Sequence, residues 1–237
     1  MRKIIVITAL LIFAPALRGG EDFVFFVREG DTAKTLTENY LVRPTAWERV
    51  VQYNYLLKPG NLIRVPVDLV RNEERAFLEF VSGKTSFLPA GGREWIPAAA
   101  GLILQNGDRV RTGPEGNAVI RTGLEDRAVL RSATEVVYQP TRGFLAGRTN
   151  RITIVEGTVI ASTRKLEDRE ARFVLQAPGS ELDLVGTELR IRVSPAGETR
   201  FEVLDGEITV KAGREKYTVP SEMGLLMSTP SGGEGDR

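Results

Sequence analysis

The chain has 237 residues, of which 42% are hydrophobic and 27% charged, so it can bury a core and keep a soluble surface. Lys and Arg number 32 against 31 Asp and Glu, and the formal net charge of +1 gives no electrostatic reason to expect a nucleic-acid partner. The chain has no cysteine and no histidine. This excludes disulfides, Cys-ligated metals, thiolate nucleophiles and Ser-His-Asp triads, so we expect no cofactor, no metal and no catalytic residue.

Residues 1–20 have the pattern of a secretory signal. A positively charged start precedes an apolar stretch over residues 4–17, which contains the small-x-small cleavage site Ala14-Pro15-Ala16. The apolar stretch is shorter than the roughly 20 residues that span a bilayer, which favours a cleaved signal over a retained N-terminal anchor. We therefore expect export to the periplasm or another part of the cell envelope, with no transmembrane span after cleavage.

Residues 21–67 are predicted to form a small unit with the order strand–helix–helix–strand. Alternating strands are expected over residues 23–27 and 62–66, because polar and turn residues bound both apolar runs. The turn Gly30-Asp31-Thr32 leads into a first helix, whose Ala33, Leu36 and Tyr40 fall on one stripe. Thr45 and Glu48 have the spacing of a capping box and predict the start of a second helix.

This unit resembles the LysM module, a small βααβ domain that recognises glycans containing N-acetylglucosamine, such as peptidoglycan. The matching parts are Gly30-Asp31-Thr32, then Trp47 with Asn54, and the closing residues 58–66. The resemblance implies a glycan groove between two loops. Its residues would be Gly30, Asp31, Thr32 and Ala33 on one side, and Tyr55, Leu56, Leu57 and Pro59 on the other. The stretch from Asn54 to Gly60 is shorter than in the family, and the alternative is that Gly30 and Asp31 only form a turn and a helix cap.

Residues 68–76 are charged and are expected to be a linker. The sequence pattern of residues 77–227 then predicts one all-β domain. Short runs that alternate apolar and polar residues are separated by Gly, Pro, Asp and Asn turns, as over residues 188–193 and 207–211. We expect Trp95 to cover the first turn of this domain, since tryptophan is usually buried. Residues 228–237 are rich in Gly, Ser and charge and predict a disordered tail.

The β region resembles the FecR domain. The matching motifs follow one another over more than a hundred residues: Gly107-Asp108, Thr112-Gly113, Val155-Glu156-Gly157-Thr158-Val159, Gly186-Thr187-Glu188-Leu189 and Val203-Leu204-Asp205-Gly206-Glu207. The resemblance implies a twin-stranded β-helix, although a β-sandwich gives the same pattern of short strands. FecR itself relays iron–citrate transport status to a sigma factor through a transmembrane helix. Because this chain shows only a signal-like start, we expect the β domain without the anti-sigma mechanism.

Four carboxylates next to glycine turns or on alternating strands are the candidates for acid–base catalysis: Glu156, Asp183, Glu188 and Asp205. Such residues are ordinarily solvated, so we interpret the chain as a mainly β, non-enzymatic envelope protein. The LysM-like unit would bind peptidoglycan, and the β domain would bind an envelope protein or ligand. The alternative is a component of envelope sensing, related to FecR regulators, in which the LysM-like unit is only structural.

Overall fold

A computed structural model describes residues 22–43, 48–50, 57–70, 76–122, 126–143, 147–164 and 171–228. The predicted signal over residues 1–20 lies outside these ranges, and so does the predicted tail from residue 229 onward. No helix within the described ranges is long and apolar enough to cross a membrane.

The N-terminal unit consists of a two-stranded antiparallel sheet and the helical segments that pack on it. The elements are β1 (Asp22–Phe26), α1 (Ala33–Tyr40), β2 (Leu62–Pro66) and a 3-10 helix (Val67–Leu69). Residues 48–50 are helical, as the predicted second helix requires, but Thr45, Trp47 and Asn54 fall outside the described residues.

The core of this unit is small and apolar. Phe25 and Ile63, which face each other across β1 and β2, are buried against Leu36 of α1. Leu69 and Val70, at the start of the predicted linker, are also buried in this core. The stripe of α1 therefore faces the sheet, as the spacing of its apolar residues predicts.

In the rest of the described chain, every helix or strand that the structure contains is a β-strand. The strands are β3 (Ala76–Ser82), β4 (Thr85–Leu88), β5 (Ile96–Pro97), β6 (Arg109–Thr112), β7 (Asn117–Thr122), β8 (Asp126–Leu130), β9 (Glu135–Tyr138), β10 (Thr141–Gly143), β11 (Gly147–Ser162), β12 (Ala171–Ala177), β13 (Ser180–Leu184), β14 (Glu188–Val193), β15 (Thr199–Asp205), β16 (Glu207–Ala212), β17 (Glu215–Pro220) and β18 (Gly224–Met227). The class is therefore all-β, which confirms the prediction of a mainly β fold.

These strands form two sheets that share β11. The first sheet has the order β3-β7-β8-β11-β14-β15-β18, and all of its ladders are antiparallel. The second has the order β5-β4-β6-β9-β11-β12-β13-β16-β17. Strand β11 pairs in the second sheet up to Glu156 and in the first sheet from Gly157, where a bulge and a positive φ of 97° redirect it.

The chain winds between the two sheets about two strands at a time. Apart from β5 beside β4, the place of each strand across its sheet follows its order along the chain. This is the progressive winding expected from the resemblance to a twin-stranded β-helix. Alternating residues of both sheets meet in one core, whose largest fully buried side chains are Tyr138, Phe87, Phe173 and Phe201.

The N-terminal unit is joined to the first edge of this domain through residues 101–104. Val24 of β1 donates its N–H to Gly101 O at 2.8 Å, and Ile103 N donates to Val24 O at 2.9 Å. On the other side of the segment, Leu78 N of β3 donates to Leu102 O at 2.9 Å. The first sheet therefore continues through this segment into β1 and β2, and the N-terminal unit covers the edge at which the β domain starts.

Candidate functional site

The predicted glycan-binding residues lie in part at one end of the N-terminal sheet. The turn at Gly30, which has a φ of 86°, and the turn at Pro59 and Gly60 are both exposed there. Val27 connects them, because its N–H donates to Asn61 O at 2.9 Å and its carbonyl accepts from Gly60 N at 2.8 Å. The fold thus places the two sides of the predicted groove next to each other.

Polar side chains in this region have local structural partners. Asp31 Oδ2 accepts from Arg28 N at 2.7 Å, which closes the turn. Thr32 is the N-cap of α1, since its hydroxyl accepts from Thr35 N at 3.2 Å and its own N–H donates to Thr35 Oγ1 at 2.9 Å. Ala33 is the first residue of that helix. Asp31 therefore belongs to a turn, as the alternative has it, while the helix cap is Thr32 and not Asp31.

The other side of the predicted groove is described only in part. Leu57 is partly buried and packs against the N-terminal core, whereas Pro59 is exposed. Tyr55 and Leu56 lie outside the described residues. Glycan binding by these residues stays a prediction.

A buried ion pair connects the same turn to the β domain. The Arg28 Nη2 atom donates to both carboxylate oxygens of Asp108, at 2.6 and 2.8 Å, and the Asp108 side chain is completely buried. The Asp108 carboxylate also accepts from Gln105 N at 2.8 Å and from Ala90 N at 3.0 Å. Four hydrogen bonds thus compensate a carboxylate that has no contact with water.

The protonation of Asp108 reflects opposing effects. Burial raises the pKa of the Asp108 carboxyl, and the Arg28 guanidinium together with the two backbone amides opposes that rise. Sequence reasoning missed this pair. Aspartate after glycine usually lies in an exposed turn, and no local pattern connects Asp108 with a residue 80 positions away.

Aromatic contacts also join the N-terminal unit to the β domain, and we call the contacts between these two units the junction. Phe26 of β1 meets Phe87 of β4 edge to face, with ring centroids 5.8 Å apart, and Phe23 meets Phe77 of β3 at 5.1 Å. Leu102 and Leu104 face the core of the β domain, while Ile103 between them faces the N-terminal core. The two units therefore share a packed interface that contains a desolvated charge pair.

The four candidate catalytic carboxylates do not form one site. Glu188 and Asp205 face each other in the first sheet, whereas Glu156 and Asp183 belong to the second. The Asp183 carboxylate is held by Arg172, and the other three residues are exposed. Among the described residues, no group of three or more acidic side chains is arranged to hold a metal ion.

The arginines that alternate along strands have partners on the surface. Arg190 pairs with Glu202 at 3.0 Å, and Arg109 pairs with Glu135. The Arg111 guanidinium carbon lies 4.1 Å from the centroid of the Trp95 ring, which is half-buried, so this ring packs against a cation.

A surface cluster of one glutamate and two arginines gives a pH prediction. Glu79 accepts hydrogen bonds from Arg127 at 2.8 Å and from Arg121 at 3.2 Å, and the Arg127 hydrogen bond chiefly lowers the pKa of Glu79 below its ordinary value near 4.5. Since the folded pKa lies below the unfolded one, the stabilisation is complete above the unfolded pKa and is lost as pH falls through the folded pKa.

We therefore expect the unfolding free energy of the wild type to exceed that of a Glu79→Gln variant by at most about 1 kcal/mol at neutral pH, because all three side chains are partly exposed. The difference should shrink below about pH 4. Urea unfolding of the wild type and the variant at a series of pH values measures this difference in unfolding free energy. The control is Glu188→Gln, at an exposed residue of the same sheet. A difference that stays constant into acid would contradict the assignment.

Comparison with known proteins concerns the β domain. Residues 108–209 match the family described as FecR protein. No protein of curated function matches the chain. Two crystal structures, at 2.50 and 1.65 Å, of a "putative anti-sigma factor" from Parabacteroides distasonis ATCC 8503 align with a TM-score of 0.43 and 10% identity. Each alignment covers 52% of this chain and about half of that protein, 55% and 56% respectively. The similarity to the FecR family thus begins at the buried Asp108 and ends within β16.

Proposed function

We propose that this chain is a non-enzymatic signalling component of the cell envelope, in which the FecR domain binds a partner protein and the N-terminal unit is a structural cap. The observation that carries the proposal is the junction between the two units. The turn predicted to bind glycan also supplies Arg28, whose side chain neutralises Asp108 inside the β domain. Because the ion pair with Asp108 holds Arg28 in place, we assign this turn a structural role.

The match to the FecR family supports a regulatory role over an enzymatic one. Export to the periplasm or cell envelope is part of the proposal and rests on the signal-like residues 1–20.

A second candidate function is attachment to peptidoglycan through a LysM-like N-terminal unit. The observation in its favour is that the turns at Gly30 and Pro59 lie side by side and are exposed. Backbone groups of two such turns are suited to recognise the N-acetyl group of a sugar. In this case the unit would bind glycan and cap the β domain at the same time.

Co-sedimentation with purified peptidoglycan separates the two functions. If the N-terminal unit is only structural, the chain from residue 21 to residue 237 should stay in the supernatant, and chitin oligomers should leave its melting temperature unchanged. Pelleting that chitin oligomers reverse would contradict the proposal and support the glycan-binding alternative.

The variants for this test must leave the Arg28 turn intact. Replacing Asp31 and Thr32 removes the hydrogen bonds to Arg28 N and Thr35 N, so loss of binding would not distinguish a ligand contact from local unfolding. Pro59→Trp is better suited, because Pro59 is exposed on the opposite side of the predicted groove. Lys34→Ala, on the exposed face of α1, is the matched control.

A further inference from the structure

The first sheet has one edge that the described residues leave uncovered. Strand β18 pairs only with β15 there, and its sequence Gly224–Met227 contains no charged residue. Leu226 is 59% exposed, and beside it Met223 and Leu204 are 60% and 43% exposed. These residues form an apolar rim beside the charged side chains of Arg200 and Glu202 on β15, and we call strand β18 with this rim the β18 edge.

The backbone of β18 is also available for pairing. Alternate residues of an antiparallel strand direct their backbone N–H and C=O groups toward the partner strand. Because Val203 N donates to Met223 O at 2.9 Å, Met223 is one of the residues of this segment that face β15. The amide groups of Leu225 and Met227 then point toward β15, and those of Gly224 and Leu226 point away from it. The β18 edge thus combines outward N–H and C=O groups with apolar side chains, which is the pattern of a strand-pairing surface.

The other edges of the two sheets differ from this one. The first sheet is covered at its opposite edge by residues 101–104 and the N-terminal unit. The second sheet ends on one side at β17, where Glu215 and Lys216 place charges on the edge. On the other side it ends at β5, which has only two residues, the second of them Pro97. Charged side chains of this kind oppose edge-to-edge association. In the part of the chain that the structure describes, β18 is thus the uncovered edge strand of four residues that carries neither a charged side chain nor a proline.

We propose that the β18 edge pairs with the β18 edge of a second copy of this chain. Head-to-tail stacking is blocked, because the opposite edge of the first sheet is already paired with its own N-terminal unit. A two-fold axis through the β18 edges produces an antiparallel strand pair, and every ladder of the first sheet is antiparallel. Residues 229–237, which follow the strand, contain no Leu, Ile, Val, Met or aromatic side chain. The inference does not depend on the proposed signalling role.

Sedimentation velocity over a range of protein concentrations tests the pairing. The chain from residue 21 onward should form a reversible dimer. Leu226→Lys places like charges across the axis, and Leu226→Pro removes an outward N–H without removing a bond to β15, so each should raise the dimer dissociation constant at least about tenfold. Phe80→Lys, at a residue 51% exposed on the opposite side of the first sheet, is the matched control and should dimerise like wild type.

A second measurement uses the absence of cysteine from the chain. A single cysteine introduced by Leu226→Cys should be joined between copies by a short bis-maleimide linker, whereas one introduced by Phe80→Cys should not. Monomers at every concentration would overturn the proposal. A dimer that both Leu226 variants leave intact, and in which the cysteine at 226 does not cross-link, would overturn it too.

Discussion

Replacing Asp108 with alanine is expected to lower the unfolding free energy by about 3–5 kcal/mol, the usual cost of removing one partner from a buried ion pair. The reason is that Arg28, only 19% exposed, keeps its charge and loses its counter-ion, and that Gln105 N and Ala90 N lose their acceptor. Denaturant unfolding monitored by circular dichroism measures the loss.

The matched control for this change is Asp183→Ala. Asp183 also pairs with an arginine, Arg172, but that pair is partly exposed on the second sheet, and its loss should cost less than about 1 kcal/mol. A double-mutant cycle with Arg28→Met and Asp108→Asn then isolates the coupling between the two residues. If Asp108→Ala costs no more than Asp183→Ala, the pair does not fasten the N-terminal unit to the β domain.

Replacing Gly157 with alanine is expected to cost about 4 kcal/mol or more, because the substitution combines backbone strain with a direct clash. Gly157 has a φ of 97°, and a Cβ there would lie 2.4 Å from Thr134 Cα and 2.5 Å from both Ala133 O and Thr134 Oγ1. The Thr134 hydroxyl accepts a hydrogen bond from Thr158 N at 2.9 Å, next to the point where β11 leaves one sheet for the other. A Cβ at residue 157 would therefore disturb this hydrogen bond.

Gly179→Ala separates strain from clash. Gly179 also has a positive φ, of 70°, but nothing lies within 4 Å of the position that a Cβ would take. Its replacement should cost about 1–2 kcal/mol, the conformational penalty alone. Thermal unfolding of the two variants compares them. Equal losses would show that the close approach at Gly157 is relieved by small movements and that the bend of β11 does not depend on glycine.

The junction also changes how a truncation experiment should be interpreted. Deleting residues 21–68 removes not only a predicted glycan-binding unit but also β1, which covers residues 101–104, and the counter-ion of Asp108. The deleted form would therefore lose stability together with any ligand. Point variants in the full chain, such as Pro59→Trp, are the informative comparison for function.

Local patterns were sufficient for part of the fold and of the candidate site. The alternation over residues 188–193 predicted a half-buried strand, and β14 has that burial. The turn at Gly30 and the helix starting at Ala33 also follow from the sequence, because glycine permits a positive φ and threonine caps a helix. These features involve residues within a few positions of one another, which is the range over which periodicity carries information.

By itself, then, the sequence determined the all-β class of the large domain, the strand and helix at the start of the N-terminal unit, and the turns predicted to form a groove. The tertiary structure decided that residues 101–104 insert between β1 and β3, that β11 belongs to both sheets, and that Arg28 reaches Asp108. Strand pairing and buried ion pairs join segments far apart in the chain, and their partners are selected by burial and hydrogen-bond satisfaction in the assembled core. That selection leaves no local pattern, so the junction that gives the N-terminal unit its structural role was visible only in the folded protein.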